Sequence, residues 1–536
     1  MARTRLAAFG AAGLLLLAQR GLADDLQTGP PPGIVPAAMT IEHVLWASRR
    51  AQGRLAAGVA ATRREHWNVS FGAMTGTLDY VSAGKNYRAD QSLGPSRTAW
   101  GRAGDRTWQM NANGQVSTGI TLHRSDETDA IAVESPSHPG VTLLGRVAAP
   151  VAAYVVRVEP AGGRLEYRFY DAKTFLLDRV EEIRGARRVT VSLDDYRTTD
   201  GLSEPWHIHT SDGFATNDGD RVLQTLVAGA RIAPSETAIP RNGPPLISLG
   251  ASPVELPVVT SGDRFIIPVK MGEHTVDFLL DSGADGIVID NRVADVLGIK
   301  QYGRITSETA GTYVESDVVI PRMSVGPITL QGVHAKSLPF TQWTASGTPI
   351  AGLLGYDFIH DVVWHVDYQH GTLQAIAPTS FTPPAGAQAF DVSFDDNVPT
   401  LGIRINGLEA PAFVLDTGAD RSALFSRYVQ AHPSELADRG LGQTMTDAHP
   451  FVDDFNGVGG TVEYRPLEVG PLLFGKWPFP TWLFEVTQNA PSFEFEDYDG
   501  LIGQDLLRNF DLYLDYPHER IYLVPNDRFR QRWPTG

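Results

Sequence analysis

The chain of 536 residues contains no cysteine. That absence removes disulfides, thiol nucleophiles, Cys-ligated zinc and a lipid-modified N-terminal cysteine. Basic charge is also short, since 45 Lys and Arg stand against 62 Asp and Glu and leave a formal net charge of -17. Such a surface repels phosphate backbones, and no basic stripe with interleaved aromatics interrupts it, so nucleic acid is excluded as a partner. Long apolar runs are missing except for one near the N-terminus. There Arg3 and Arg5 precede apolar residues from Leu6 to Ala18, and Gly21-Leu22-Ala23 places small residues ahead of Asp24-Asp25. The run is short for a bilayer span and Gln19-Arg20 interrupts it, so residues 1–23 read as a cleaved export signal. The expected product is a soluble protein of the periplasm or the extracellular space.

Turn formers are plentiful. With 53 Gly and 36 Pro, and few long helical periods, the composition predicts a mainly β chain of two to four domains. Residues 24–39 are rich in Pro and Gly and read as a leader. Helical spacing follows over 40–64, through Ile41, Val44, Leu45, Leu55 and Val59. Alternating segments such as Trp67-Asn68-Val69-Ser70-Phe71 and Arg164-Leu165-Glu166-Tyr167-Arg168-Phe169-Tyr170 then predict strands, so residues 40–236 form an α+β domain. Residues 237–260, with Pro240, Pro244, Pro245 and Pro257, read as a linker.

Two copies of one pattern follow. Phe278-Leu279-Leu280-Asp281-Ser282-Gly283-Ala284-Asp285 is matched by Phe413-Val414-Leu415-Asp416-Thr417-Gly418-Ala419-Asp420. Gly272 stands nine residues before Asp281, and Gly407 nine before Asp416. Downstream, Gly352-Leu353-Leu354-Gly355 matches Gly500-Leu501-Ile502-Gly503. Asp357 and Asp505 each lie five residues beyond those first glycines, and Asp367-Tyr368 matches Asp515-Tyr516. The repeat predicts two lobes, 261–382 and 388–536.

Each copy carries a carboxylate on a tight loop at the end of an apolar strand. Gly283 and Gly418 leave room for close backbone approach, and Ser282 and Thr417 can brace the opposite loop. Two carboxylates held that close share one proton. The ionised member can take a proton from water while the other donates to a carbonyl oxygen.

The apolar-apolar-Asp-Ser/Thr-Gly-Ala-Asp pattern, with apolar-apolar-Gly downstream, resembles the retropepsin-type aspartic proteases over residues 262–525. Both halves stand in one chain, as in the pepsins. The resemblance implies a bilobal β-barrel pair, Asp281 and Asp416 as catalytic dyad, a protein or peptide substrate, no cofactor or metal, and a protease part acting as a monomer. The family's Arg after the downstream glycine is replaced by Tyr356 and Gln504, so Asp285 and Asp420 need other donors. They are carried as substrate-contacting or loop-bracing residues, with Gly311 and Gly459 at candidate flap tips.

Ahead of the linker, Leu176-Leu177-Asp178-Arg179-Val180-Glu181 and Gly201-Leu202-Ser203-Glu204-Pro205-Trp206-His207-Ile208 resemble the periplasmic lipoprotein-carrier (LolA-type) domains. That likeness implies an antiparallel half-barrel and a lipid or lipoprotein partner. Two functions stay open: an aspartic endopeptidase of the cell envelope, or a lipid- or lipoprotein-binding protein on an inactive protease-like scaffold. Three weaker signals are set aside. Gly470–Lys476 has phosphate-loop spacing, but Trp477 replaces the required hydroxyl, so a hairpin is expected. His207 and His209 lack a third metal ligand, and Asn217-Asp218-Gly219-Asp220 reads as a turn.

Overall fold

The computed structural model describes residues 29–54, 62–119, 137–160, 163–184, 187–250, 252–308, 312–340, 349–436, 454–457, 460–487 and 498–533. The expected export signal, Gly311 and Gly459 lie outside them. Among the described residues strands dominate and helices are short, so the chain is mainly β. No described helix is long and apolar enough to cross a membrane.

The chain divides into two compact units. The first takes the sequence up to Asn111, Ile120–Arg241 and Tyr302–Ser307; the second takes Ala112–Gly119, Asn242–Gln301 and Glu308–Gly536. In the first unit an antiparallel sheet runs through Val141–Val147, Ala153–Val158, Leu165–Asp171, Leu177–Arg184, Arg187–Thr199, Leu202–Ser211, Gly219–Ala228, Thr62–Phe71 and Met74–Ala83 as successive neighbours. One helix, Ile41–Ala51, lays Val44 and Leu45 against Tyr154, Val156, Val158 and Val180. Of the helical spacing read over 40–64, Ile41–Ala51 is a helix and residues from Thr62 are a strand, while Leu55 and Val59 lie outside the described residues. A Cβ at Gly53 would meet the Gly201 carbonyl oxygen at 1.8 Å, so the chain turns there, and by Thr62 it is a strand. That strand buries Arg63, Glu65, Trp67 and Val69. Arg63 lies 2.8 Å from Glu204 and 3.3 Å from Glu65, and Glu65 also accepts from the Trp67 indole at 2.9 Å. Charges this deep persist because they are paired and hydrogen-bonded.

In the second unit, each half opens with a hairpin. Arg264–Met271 pairs with His274–Leu280, and Val398–Ile405 with Leu408–Leu415. Asn406 and Gly407, at φ 50° and 85°, supply the left-handed pair that a two-residue hairpin loop demands. The second strand of each hairpin then runs parallel to a short later strand: Phe278 faces Gly352 and Leu280 faces Leu354, while Phe413 faces Gly500 and Leu415 faces Ile502. Ile287–Asp290 and Ala423–Leu424 lie antiparallel on the far side of those short strands. A Cβ at Gly352 would strike the Phe278 ring at 2.3 Å, and one at Gly500 the Phe413 ring at 2.7 Å, so glycine admits the short strand between its neighbours.

The halves meet in a further sheet. Val363–Asp367 of the first lies antiparallel to Phe510–Asp515 of the second, with Trp364 opposite Leu514 and Val366 opposite Leu512. One hydrophobic core containing Phe278, Leu280, Phe413 and Leu415 runs through the unit. Each of those side chains is at most 1% exposed, a burial that stabilises by about 1.5–3 kcal/mol apiece. The stretch 237–260, read as a linker, is only partly one. Val254–Leu256 pairs with Thr372–Ile376, and Val259–Ser261 pairs with Arg264–Met271. Pro253 and Pro257 bracket the first of these short strands, which forms a sheet edge, where a missing N–H is tolerated.

Candidate active site

The two parallel strands end at Asp281 and Asp416. The Asp281 amide donates to the Leu354 carbonyl at 3.1 Å and that of Asp416 to the Ile502 carbonyl at 3.0 Å, so both loops leave their strands at one fixed point. Buried Ser282 and Thr417 then cross between the loops. The Ser282 hydroxyl donates to the Leu415 carbonyl at 2.7 Å and accepts the Thr417 amide at 3.0 Å. The Thr417 hydroxyl donates to the Leu280 carbonyl at 3.0 Å and accepts the Ser282 amide at 3.0 Å. Four reciprocal bonds lock the loops face to face.

This brings each glycine onto the opposite acid. A Cβ at Gly283 would lie 2.6 Å from the Asp416 Cγ, and one at Gly418 would lie 2.6 Å from the Asp281 Cγ. Gly283 N–H donates to the Asp281 Oδ1 at 2.9 Å, while Gly418 and Ala419 N–H donate to the Asp416 Oδ1 at 2.7 and 3.0 Å. Burial raises the pKa of both acids. For Asp281 the Asp416 charge adds to burial and carries it well up against the Gly283 and Ala284 amides, while the Gly418 and Ala419 amides, the Asp281 carboxyl and the Arg264 charge oppose the rise of Asp416. Two acids this close, both buried, favour holding a single proton between them. Beneath them the Tyr516 phenol, buried and close to both acids, is pushed well up and stays protonated.

The flanking acids find two unrelated cations. Arg264, at the start of the first hairpin, grips Asp420 of the second loop through two bonds of 2.8 and 2.7 Å. Lys336 lies 3.3 Å from Asp285 and 3.8 Å from Glu315. Burial works against the Lys336 charge, but Asp285 and Glu315 outweigh it and raise its pKa. Gln504 donates to the Thr417 carbonyl, and Tyr356 packs edge-on to Phe394. Asp357 accepts the Ile287 amide at 2.9 Å, and Asp505 accepts the Ser422 amide and hydroxyl at 2.9 and 2.7 Å. Burial pushes Asp357 up to about 7. Arg264 and Lys336 carry no motif that singles them out in the sequence. Asp357 and Asp505 do, through their matched spacing from Gly352 and Gly500.

Elsewhere, Gly470–Lys476 lies in a hairpin of Leu472–Phe474 and Trp477–Phe479. His207 and His209 share one oxygen of Asp220, at 2.9 Å each. Among the described residues His365, Asp367 and Asp511 bring three donor atoms within 4.8 Å of one another. Both Asp367 oxygens already accept hydrogen bonds, from the Gln369 and His370 amides and the His370 ring.

The sequence profile of the aspartyl protease family matches residues 267–358 of this chain. No curated protein sequence matches it. Among solved structures, a DUF1329 family protein from Desulfovibrio piger is 11% identical, covering 38% of this chain and 98% of its own, with a TM-score of 0.30. A LolA superfamily protein from Nitrosomonas europaea is 11% identical over 38% of this chain and 98% of its own, with a TM-score of 0.26. Basic 7S globulin from soybean is 11% identical over 51% of this chain and 94% of its own, with a TM-score of 0.31. Likenesses of this size carry no functional argument.

Proposed function

We propose that this chain is an exported aspartic endopeptidase whose Asp281 and Asp416 act as one acid–base pair on a single water. The observation that supports it most is the mutual fit of Gly283 against Asp416 and of Gly418 against Asp281, each at 2.6 Å from an added Cβ to the carboxyl carbon. In this reading the pair holds one proton, with Asp416 written as the base and Asp281 as the acid.

The steps balance. Asp416 takes a proton from water as the oxygen bonds to the peptide carbonyl carbon. Asp281 gives its proton to the carbonyl oxygen, and a neutral diol forms. Asp416 then passes its proton to the amine nitrogen, the C–N bond breaks, and Asp281 recovers a proton from the diol. The pair supplies both acid and base, so this chemistry calls for no metal or cofactor. Asp285 and Asp420 flank the pair, and Asp420 keeps 58% of its side chain exposed beside Arg264, which leaves it able to contact a peptide backbone.

Asp281→Asn and Asp416→Asn should each abolish cleavage of an unfolded protein across acid to neutral pH, with the far-UV spectrum unchanged. Either variant cutting at the parent rate removes the proposal. Lipid or lipoprotein copurifying with an intact chain that never hydrolyses peptide would favour the binding function instead.

A further inference from the structure

The two halves of the second unit join where Val363–Asp367 lies antiparallel to Phe510–Asp515, and the two faces of that joint differ. Successive side chains on a strand point to opposite faces. Trp364, Val366, Leu512 and Leu514 are fully buried and form the inner face. The outer face carries His365 opposite Tyr513 and Asp367 opposite Asp511.

Two carboxylates directly opposite on one sheet face repel each other and weaken the pairing. Burial, and then the Asp367 charge, raise the Asp511 pKa against the pull of His365, His370 and Arg530. Asp367 is oriented by its own turn: Oδ1 accepts the Gln369 and His370 amides at 2.9 Å each, and Oδ2 meets the His370 ring at 2.7 Å. A carboxylate has about four lone-pair sites, so Oδ2 keeps one.

The deciding atom is His365 Nε2. It is buried and has no hydrogen-bond partner among the described residues. Tyr513 stacks on the ring at 4.3 Å and 1°, which fixes its plane. Gln374, opposite His365 on the next strand, acts on the ring as a hydrogen-bond acceptor, and burial holds the ring neutral. With Nε2 unbonded, that acceptor serves Nδ1–H, and Nε2 presents a bare lone pair. A bare imidazole nitrogen beside two carboxylates is a set of acceptors without a donor, the arrangement that a metal cation satisfies, and the Gln374 contact is the outer partner that a ligating histidine needs. The three atoms lie within 4.8 Å of one another. Zinc stands about 2.0–2.2 Å from such atoms, so small side-chain rotations close the group on an ion.

We propose that His365 Nε2, Asp367 Oδ2 and one carboxylate oxygen of Asp511 bind a divalent transition-metal ion, zinc before the others, with water completing its shell. Two ligands come from the first half and one from the second, so the ion is a staple across the joint. The repeat does not make the site twice. His365 and Tyr513 stand at matching places in the two copies, and Asp511 matches Val363, so a second copy would need ligands at Tyr513 and Val363. One ion per chain is expected. It takes no part in the proposed hydrolysis, and the site stands whether or not the chain cuts peptides.

The test uses the full chain without an affinity tag, stripped by a chelator and titrated with zinc chloride at neutral pH by calorimetry. The parent should take up one zinc ion, and saturating zinc should raise its thermal midpoint. His365→Gln and Asp511→Asn should each weaken uptake by about a hundredfold or more, and Gln374→Leu by about tenfold. His207→Ala with His209→Ala should leave it unchanged. Should His365→Gln not fold, Asp511→Asn decides alone: it relieves the opposed charges, so the stripped variant should melt above the stripped parent and gain nothing from zinc. No zinc uptake by the parent, undiminished uptake in Asp511→Asn, or uptake lost with His207 and His209 overturns the proposal.

Discussion

The sharpest perturbation of the acidic pair adds one methyl group. At Gly283 or Gly418 an ideal Cβ falls 2.6 Å from the opposite carboxyl carbon. Carbon atoms pack at about 3.5–4.0 Å, so the added methyl must push the acid away by about 1 Å. The acid is poorly free to yield, because its Oδ1 is held by one amide at Asp281 and by two at Asp416. The loops are poorly free to part, because four bonds through Ser282 and Thr417 tie them. Strain of this kind costs about 1–3 kcal/mol in a packed site, too little to unfold a unit of this size. A displacement of about 1 Å at a reacting group costs about a hundredfold in rate. Gly283→Ala and Gly418→Ala should therefore fold, lose a few degrees of thermal midpoint, and lose about two orders of magnitude in kcat on an unfolded protein substrate. Gly402→Ala is the control, since its nearest neighbour would stand at 3.8 Å, and it should change nothing. A Gly283→Ala protein with kcat near that of the parent would show that the two acids do not work on one water.

Three further perturbations follow from the same contacts. Asp357 has a folded pKa of about 7, above its unfolded 3.8, so the stability carried by its protonated form is complete below pH 3.8 and is lost as pH rises through 7. That loss amounts to about 4 kcal/mol, and Asp357→Asn, which keeps an acceptor for the Ile287 amide, should flatten the fall in urea midpoint between pH 5 and pH 8; an equally steep fall in the variant refutes the assignment. Arg264 holds Asp420 and its charge lowers the pKa of Asp416, so Arg264→Gln should move the acid limb of the kcat/KM profile to higher pH, with Arg264→Lys partly restoring it; an unmoved acid limb in Arg264→Gln argues against that coupling. Thr417→Ala deletes one donated and one accepted bond in a buried site and should cost about 2–4 kcal/mol in chemical denaturation, whereas Thr417→Ser should cost little; equal losses in the two would count against the crossed hydroxyls.

The local chemistry of the acidic loops is legible in the sequence because it is local. An apolar triplet, an acid, a hydroxyl residue and a glycine dictate a buried strand end, a brace and an open approach, and all of that is decided within six residues. The mainly β class follows in the same way from turn formers and alternation. What is not legible is every contact made by residues far apart in the chain. Arg264 reaches Asp420 across 156 positions, and Asn113 reaches His334 across 221. Neither cation at Asp285 or Asp420 stands in the place that the family pattern reserves for one. The same limit explains why residues 237–260 read as a linker. Proline marks the edges of short strands as readily as it marks free chain, and only pairing with Thr372–Ile376 and Arg264–Met271 tells them apart. It also hides the two exchanged segments, Ala112–Gly119 and Tyr302–Ser307, each of which belongs to the unit that its neighbours in sequence do not. The second of these is held as firmly as the first: Asn217 accepts the Thr306 amide at 2.8 Å and donates to its carbonyl at 2.7 Å, and Ile305 packs in the core with Trp67 and Leu223. Removing everything before Pro240 would leave Tyr302–Ser307 without the core of Trp67 and Leu223 that buries Ile305. Such a truncation would report on the stability of an incomplete fold before it reported on what the N-terminal unit binds.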